Sequence, residues 1–291
     1  MKKFTTYIAI RILIIIVLLF ILDIVYTNIY INKKGVRNKI EFIFQNKNKQ
    51  YDFIFLGSSR VEFHVNTPLI NKETGKESLN LGTSGQTLTE SFLALKLLIE
   101  QNIKAEKYFI QVDESDLIER NKKSFIGASY FMPFIKYPEV EKHLKKYDVD
   151  YYGDSKFPFY RYMNYGYKIG YRELLLKIGN KNREKAFYIG LESVMKKDST
   201  SVQFKNKYSS ELINEIKEFG KSKKINLILY TSPYYNVKNQ EVFKQTLKKN
   251  DIAYYIDSIK KVKYFKDADH LNKFGATKFT EMLIRDFDLK N

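Results

Sequence analysis

Serine is a weak nucleophile until a base takes its proton, and the usual base is a histidine held by a carboxylate. The chain carries the three parts. An apolar run, YDFIFLG (Tyr51–Gly57), stops abruptly at Ser58-Ser59-Arg60, so two hydroxyls and a guanidinium stand where a buried strand ends. Far downstream, FKDADHLNKFGA places Asp267 three positions before His270, at the mouth of a helical pattern. One tight turn brings the Asp267 carboxylate to the imidazole Nδ1–H and leaves Nε2 free to face a serine. Asp269 competes for that role, although adjacent side chains in a turn diverge.

Other chemistries are excluded by composition. The chain has no cysteine, which removes disulfides, thiolate zinc sites and a catalytic thiol. It has three histidines, His64, His143 and His270, too few for a multi-histidine metal cage. No metal or organic cofactor is called for. His64, just past the serine turn, reads as a packing histidine rather than a second base. His143, in the charged stretch EVEKHLKKY, reads as solvated.

The elements that must position these residues alternate in type. Tyr51–Gly57 is a short apolar run closed by glycine, the pattern of a strand buried on both faces. Thr67-Pro68 reads as an N-cap and first-turn proline. Ser78–Leu81 is a second short strand entering the glycine-rich turn Gly82–Gly85. A helix follows, with Thr87 and Glu90 at capping-box spacing. Further strands are expected at Lys107–Asp113, Ile225–Tyr230 and Ile252–Asp257. Helical patterns separate them, and a closing helix runs over Phe274–Phe287. Such alternation predicts an α/β fold: a three-layer α/β/α flavodoxin-like sandwich on a mostly parallel sheet. Ligands in these folds sit outside the carboxyl ends of the strands, which is where Gly57-Ser58-Ser59, the Gly82–Gly85 turn and Ser232–Tyr235 fall.

One stretch breaks the alternation. Residues 125–171 hold fifteen of the chain's 45 tyrosines and phenylalanines. This reads as part of an aromatic-rich helical insertion, about residues 118–205. Its rings either pack a subdomain core, line a groove for a sugar chain or acyl group, or rest at a membrane interface.

The N-terminus is a membrane segment by length. Ile12–Ile31 is twenty residues with one charge, Asp23, enough at helical rise to cross a bilayer core. No small-x-small cleavage site follows, which favours an uncleaved anchor over a signal peptide. The expected organisation is an anchor over residues 1–31, a basic juxtamembrane stalk over 32–50 and an α/β domain over 51–291. Lys2, Lys3 and Arg11 precede the span, and Lys33, Lys34, Arg37 and Lys39 follow it, so flanking charge leaves its orientation open. A net charge of +17 invites a nucleic-acid partner. The basic residues are scattered, however, and no nucleic-acid-binding motif is present, so no specific nucleic acid is expected.

GSSR after the first strand, NLGTSGQT after the second and DADHLN before the last helix resemble blocks I, II and V of the SGNH (GDSL-type) hydrolase superfamily. The resemblance spans Tyr51 to the C-terminus apart from the insertion. It implies that Ser59 is the nucleophile, with Ser58 in place of the block's aspartate, that Asp267 and His270 complete the triad, and that the oxyanion is held by the amides of Ser59 and Gly85, with Gly82 as the other glycine. The family's block III asparagine is missing. QVDESDL stands there, with Ser115 about at its position and Asn121 nearby as another donor. Arg60 then either binds an anionic substrate or pairs with Asp113, and Ser232 and Tyr234, at the same end of the sheet, belong either to a substrate-side loop or to a simple turn. The GSSR form and the anchor resemble the membrane-anchored branch of the superfamily. That implies an esterase or O-acyltransferase at the cell membrane, single-pass, with its soluble domain extracytoplasmic. The implied substrate is an acylated glycan or envelope polymer, and the implied partner is a multi-spanning membrane acyltransferase. A non-catalytic scaffold binding a polymer or such a partner is the alternative.

Overall fold

The first strand follows from the residues that build it. In the computed structural model, which describes residues 2–118, 126–147, 150–181, 188–195, 202–205 and 207–290, Gln50–Leu56 is strand β1. Phe53, Ile54, Phe55 and Leu56 are all buried. Side chains alternate across a strand, so burial of consecutive ones means that both faces are covered. Strands β2 (Ser78–Asn80), β3 (Lys104–Gln111) and β4 (Leu227–Tyr230) join it in the order β2-β1-β3-β4, every pairing parallel. A separate two-stranded parallel pair joins Val202–Gln203 to Val237–Lys238. The protein is therefore α/β with a mostly parallel sheet.

The described residues fall into two units, one of Asn46–Asn121 with Ala186–Asn291 and one of Met1–Gln45 with Lys122–Lys185. The sheet belongs to the first. Phe53, Phe55, Phe109 and Tyr230 form a buried cluster with Val61, Ile70, Phe279 and Leu283, which come from three helices, Ser59–His64, Thr67–Thr74 and Lys273–Asp286. The Leu88–Glu100 helix packs on β1 and β3, and the Glu90 carboxylate accepts from the Thr87 N–H at 2.6 Å, closing the expected capping box.

Two expected elements differ. Ile252–Asp257 makes one parallel bridge, Ala253 to Tyr230, and no strand. The Thr231 hydroxyl accepts the Tyr255 N–H at 2.8 Å, so a side chain replaces the backbone acceptor and the ladder stops. The cap of the Thr67–Thr74 helix is Asn66, whose side chain accepts from the Leu69 N–H at 3.1 Å, and not Thr67.

The second unit is helical. Its first helix, Lys2–Asn32, has a mean hydropathy of 3.1 over eighteen residues and is long and apolar enough to span a membrane. Its C-terminal part is docked. Arg161 bridges Asp23 at 2.7 Å, the Phe159 N–H donates to the same carboxylate at 2.8 Å, and Tyr26 and Tyr30 are buried. The following segment, expected as a basic juxtamembrane stalk over residues 32–50, is exposed at both ends and folded between them. Arg37, Lys39 and the Lys39–Gln45 helix are buried, and Lys177, fully enclosed, pairs with Glu41 at 2.7 Å while donating to the Gly35 carbonyl. His143 is also buried, not solvated, because it lies on the inner side of its helix with Val140 and Leu144.

His64 ties the Ser59–His64 helix to the last one. It is fully buried, its Nε2 accepts the Leu271 N–H at 2.9 Å, and its carbonyl accepts the Thr280 hydroxyl at 3.3 Å. Burial holds this imidazole well below its ordinary value of 6.5, and the charges of Arg60 and His270 push it the same way. The native ring stays neutral while an unfolded chain takes up a proton as pH falls through the ordinary histidine value. Stability therefore drops on acidification below that value, by up to about 1.4 kcal/mol per pH unit from this group. His64→Gln keeps an acceptor near the Nε2 position and removes the titration. Equilibrium denaturation of the detergent-solubilised chain between pH 7 and pH 5 should show a shallower loss for His64→Gln than for the natural chain; parallel slopes would refute the assignment.

Candidate active site

β1 ends in Gly57 because nothing larger fits. A Cβ there would lie 2.5 Å from a Val61 methyl carbon and 2.9 Å from Gln111. The chain then turns into the Ser59–His64 helix, with Ser58 as N-cap: its hydroxyl accepts from the Arg60 N–H at 3.2 Å. Ser59 is the first residue of that helix and is half-buried. Consecutive serines thus point apart, Ser58 inward and Ser59 toward His270.

Ser59 Oγ lies 2.8 Å from His270 Nε2, and His270 Nδ1 lies 2.9 Å from Asp267 Oδ1. The same carboxylate oxygen accepts the backbone N–H groups of Asp269 (3.0 Å) and His270 (2.8 Å). This turn brings Asp267, and not Asp269, to the ring. With Nδ1–H donating to the carboxylate, Nε2 is left to accept from the serine hydroxyl. The turn is anchored on both sides. The His270 carbonyl accepts from Lys266 at 2.8 Å, and Asn272 caps the last helix through Phe274 and Gly275 while its amide donates to the Lys263 carbonyl. Phe63 meets the imidazole edge-on, with ring centroids 5.7 Å apart. Residues 211 positions apart in sequence are held in hydrogen-bonding distance by two rigid helix N-termini.

The glycine-rich turn is laced to the Ser59–His64 helix. Glu62 accepts both the N–H (3.0 Å) and the hydroxyl (2.6 Å) of Ser84, and the Asn80 amide donates to the carbonyls of Val61 and Val65. Gly82 packs against Val61 and Glu62 with no room for a Cβ, and its N–H is taken by Asn80 Oδ1 at 3.0 Å. Gly85 is exposed and left-handed, with φ +83°, and its N–H meets no acceptor among the described residues. The Ser59 N–H is likewise without one. Ser115 lies in a short 3₁₀ turn, Glu114–Asp116, and no hydrogen bond joins it to Ser59 or His270. Asn121 lies outside the described residues.

Beneath the Gly57–Ser59 turn is a buried polar cluster. Arg60, 3% exposed, pairs through Nη1 with Asp113 and donates through Nη2 to the carbonyls of Ser232 and Pro233. Its guanidinium stacks 3.4 Å from the Tyr234 ring centroid. Asp113 also accepts from Gln111 Nε2 (2.6 Å) and from the Tyr234 hydroxyl (3.1 Å), and the Ser58 hydroxyl lies 2.8 Å from its other oxygen. Arg60, Ser232 and Tyr234 are therefore packed inside the protein around Asp113 and are not open to a substrate. The reason is electrostatic: a guanidinium four positions past the end of β1 is drawn to the carboxylate two positions past the end of the adjacent strand β3.

Sequence reasoning missed Gln111, which orients Asp113, and the segment Tyr188–Met195. The Ile189 N–H donates to the Glu62 carbonyl (3.3 Å), the Met195 N–H to Phe265 (2.8 Å), and Leu191 accepts from Lys273 (2.9 Å). A strap thus borders the triad. Its residues lack periodicity, so nothing in the sequence marked them. No protein-family model matches the chain, and no curated protein matches it significantly.

Two substitutions separate positioning from packing. Ser58→Ala should leave the Ser59–His270 contact in place and cost about 1 kcal/mol, the usual loss of a helix cap. Gly82→Ala should cost more, about 1–3 kcal/mol or greater, because backbone must shift. Thermal melts of both variants against the natural chain check the order.

Proposed function

We propose that the protein is a membrane-anchored serine esterase or O-acyltransferase of the SGNH type, acting on acyl esters of an extracytoplasmic glycan or envelope polymer. The observation that carries this reading is the Ser59–His270–Asp267 array, with its 2.8 Å and 2.9 Å contacts. The strand order is consistent with a flavodoxin-like sandwich, since 2-1-3-4 begins the doubly wound order 2-1-3-4-5 and Ala253 bridges to the edge where a fifth strand would lie. The triad then stands at the carboxyl end of β1, where that architecture binds ligands.

In the proposed reaction Ser59 Oγ bonds to the acyl carbonyl carbon while His270 Nε2 takes its proton. Asp267 holds the imidazolium through Nδ1–H. The amides of Ser59 and Gly85 face the developing oxyanion. Collapse breaks the ester bond, and His270 returns the proton to the departing alcohol. An acceptor hydroxyl, from water or a sugar, then attacks the acyl-serine as His270 takes its proton, and Ser59 is released. The anchor would hold the domain outside the cytoplasm beside a multi-spanning membrane acyltransferase.

The unlinked position of Ser115 favours a second reading. Loss of an oxyanion donor typically costs about 10²–10³ in turnover, and a chain without any such donor set would serve as a scaffold for a polymer or a membrane partner.

Covalent labelling by a fluorophosphonate probe tests both. Ser59→Ala should abolish labelling. His270→Ala should nearly do so, and Asp267→Asn should slow it by on the order of 10⁴. The Ser59→Ala, His270→Ala double variant should be little worse than either alone, because triad members act as a unit. Failure of the folded natural chain to label at all would favour the scaffold.

A further inference from the structure

The helical unit turns apolar side chains outward on its surface beside the N-terminal helix. Tyr152, Phe157, Tyr160 and Met163 are all exposed, Tyr152 to 68%. On the Tyr171–Ile178 helix the inner side carries Leu174 and Lys177, while Tyr171, Leu175 and Ile178, at helical spacing, face out. Both regions lie against the N-terminal helix. Arg161 and the Phe159 amide hold Asp23, Tyr162 reaches Thr27 at 2.8 Å, and the Tyr171–Ile178 helix packs on the same long helix. The exposed charged residues interleaved with these are Lys156 and Arg172, with no exposed acid between Tyr152 and Arg172. A soluble surface seldom combines contiguous apolar exposure with basic charge alone, whereas a membrane interface selects for it.

The helix sets the depth. Its exposed apolar face runs from Phe4 to Val25, twenty-two residues. At about 1.5 Å per residue that is ~33 Å, close to the thickness of a hydrocarbon core. Arg11, whose guanidinium lies 4.9 Å from the Tyr7 ring centroid, is near enough to the N-terminal end to reach the headgroups. Asp23 thus lies in the last turn of that face, close to the far boundary, and from Tyr26 onward the helix is part of the folded unit.

We propose that the Tyr151–Ile178 region is a lipid-interface platform, clamped to the span by Asp23–Arg161, with Tyr152, Phe157, Tyr160 and Met163 seated among the headgroups of the bilayer. It rests on the anchored reading above. The platform fixes how far the chain can tilt or rise relative to the membrane. It also explains why a charge is tolerated near the end of an otherwise apolar helix: its partner is supplied by the same chain.

The protein contains no tryptophan, so a single introduced one reports depth without background. The full chain carrying Phe157→Trp or Tyr152→Trp is reconstituted in phosphatidylcholine–phosphatidylglycerol vesicles, with Leu18→Trp as the reporter of the span. Leu18→Trp should be quenched by lipids brominated deep in the acyl chain. Both platform variants should show blue-shifted emission, quenched by lipids brominated near the headgroup and protected from aqueous iodide. Iodide quenching of both platform variants, with Leu18→Trp still in lipid, overturns the platform and leaves the face to water or to a protein partner. Iodide quenching of Leu18→Trp instead overturns the anchored reading, and the platform with it.

Discussion

The site depends on one buried ion pair. Arg60 and Asp113 stand at the ends of neighbouring strands, both largely out of water. An ion pair in that position is tolerated only when its remaining donors and acceptors are satisfied, and here they largely are: Ser58, Gln111, Tyr234 and two carbonyls of the Ser232–Pro233 turn converge on it. The cluster therefore joins the ends of three parallel strands, β1, β3 and β4, at one level. Ser58 is drawn inward to it, while Ser59, the first residue of the helix, points the other way.

The second constraint is steric. Gly57 and Gly82 remove Cβ atoms where the Ser59–His64 helix, β3 and the second turn press together. Close approach lets Glu62 reach Ser84 and Asn80 reach two carbonyls of the helix. Acid, amide and hydroxyl groups that would be costly unpaired are thereby spent on fixing the turn. The amides of Ser59 and Gly85 are left without an acceptor among the described residues. Preorganisation and packing here are the same set of contacts.

The helical unit follows a similar rule with different groups. Asp23, Glu41 and Glu173 each meet a cation from another segment, Arg161, Lys177 and Arg37 respectively. Charges in or beside an apolar helix are expensive unless paired. These pairs convert a sequence that looks like anchor plus linker into one folded body with its aromatic helices.

Much was legible in the residues themselves. Strand β1 was readable because an uninterrupted apolar run closed by glycine suits a strand buried on both sides. The Thr87–Glu90 cap and the Asp267–His270 turn were readable because both are local, set within three or four residues. Partners far apart in sequence were not. That Arg60 turns inward to Asp113, that Gly82 is a packing glycine while Gly85 keeps a free amide, and that Ile189–Met195 straps the site all depend on which strand ends become neighbours. The expected strand at Ile252–Asp257 failed for the same reason, since a hydroxyl on another segment, Thr231, took its hydrogen bond. The sequence by itself determined the alternation of elements, the apolar first helix and the residue types able to do serine chemistry, because these rest on local periodicity and composition. Only the tertiary structure decided which serine faces the histidine and which charges are buried, because both follow from long-range packing that no short window of sequence contains.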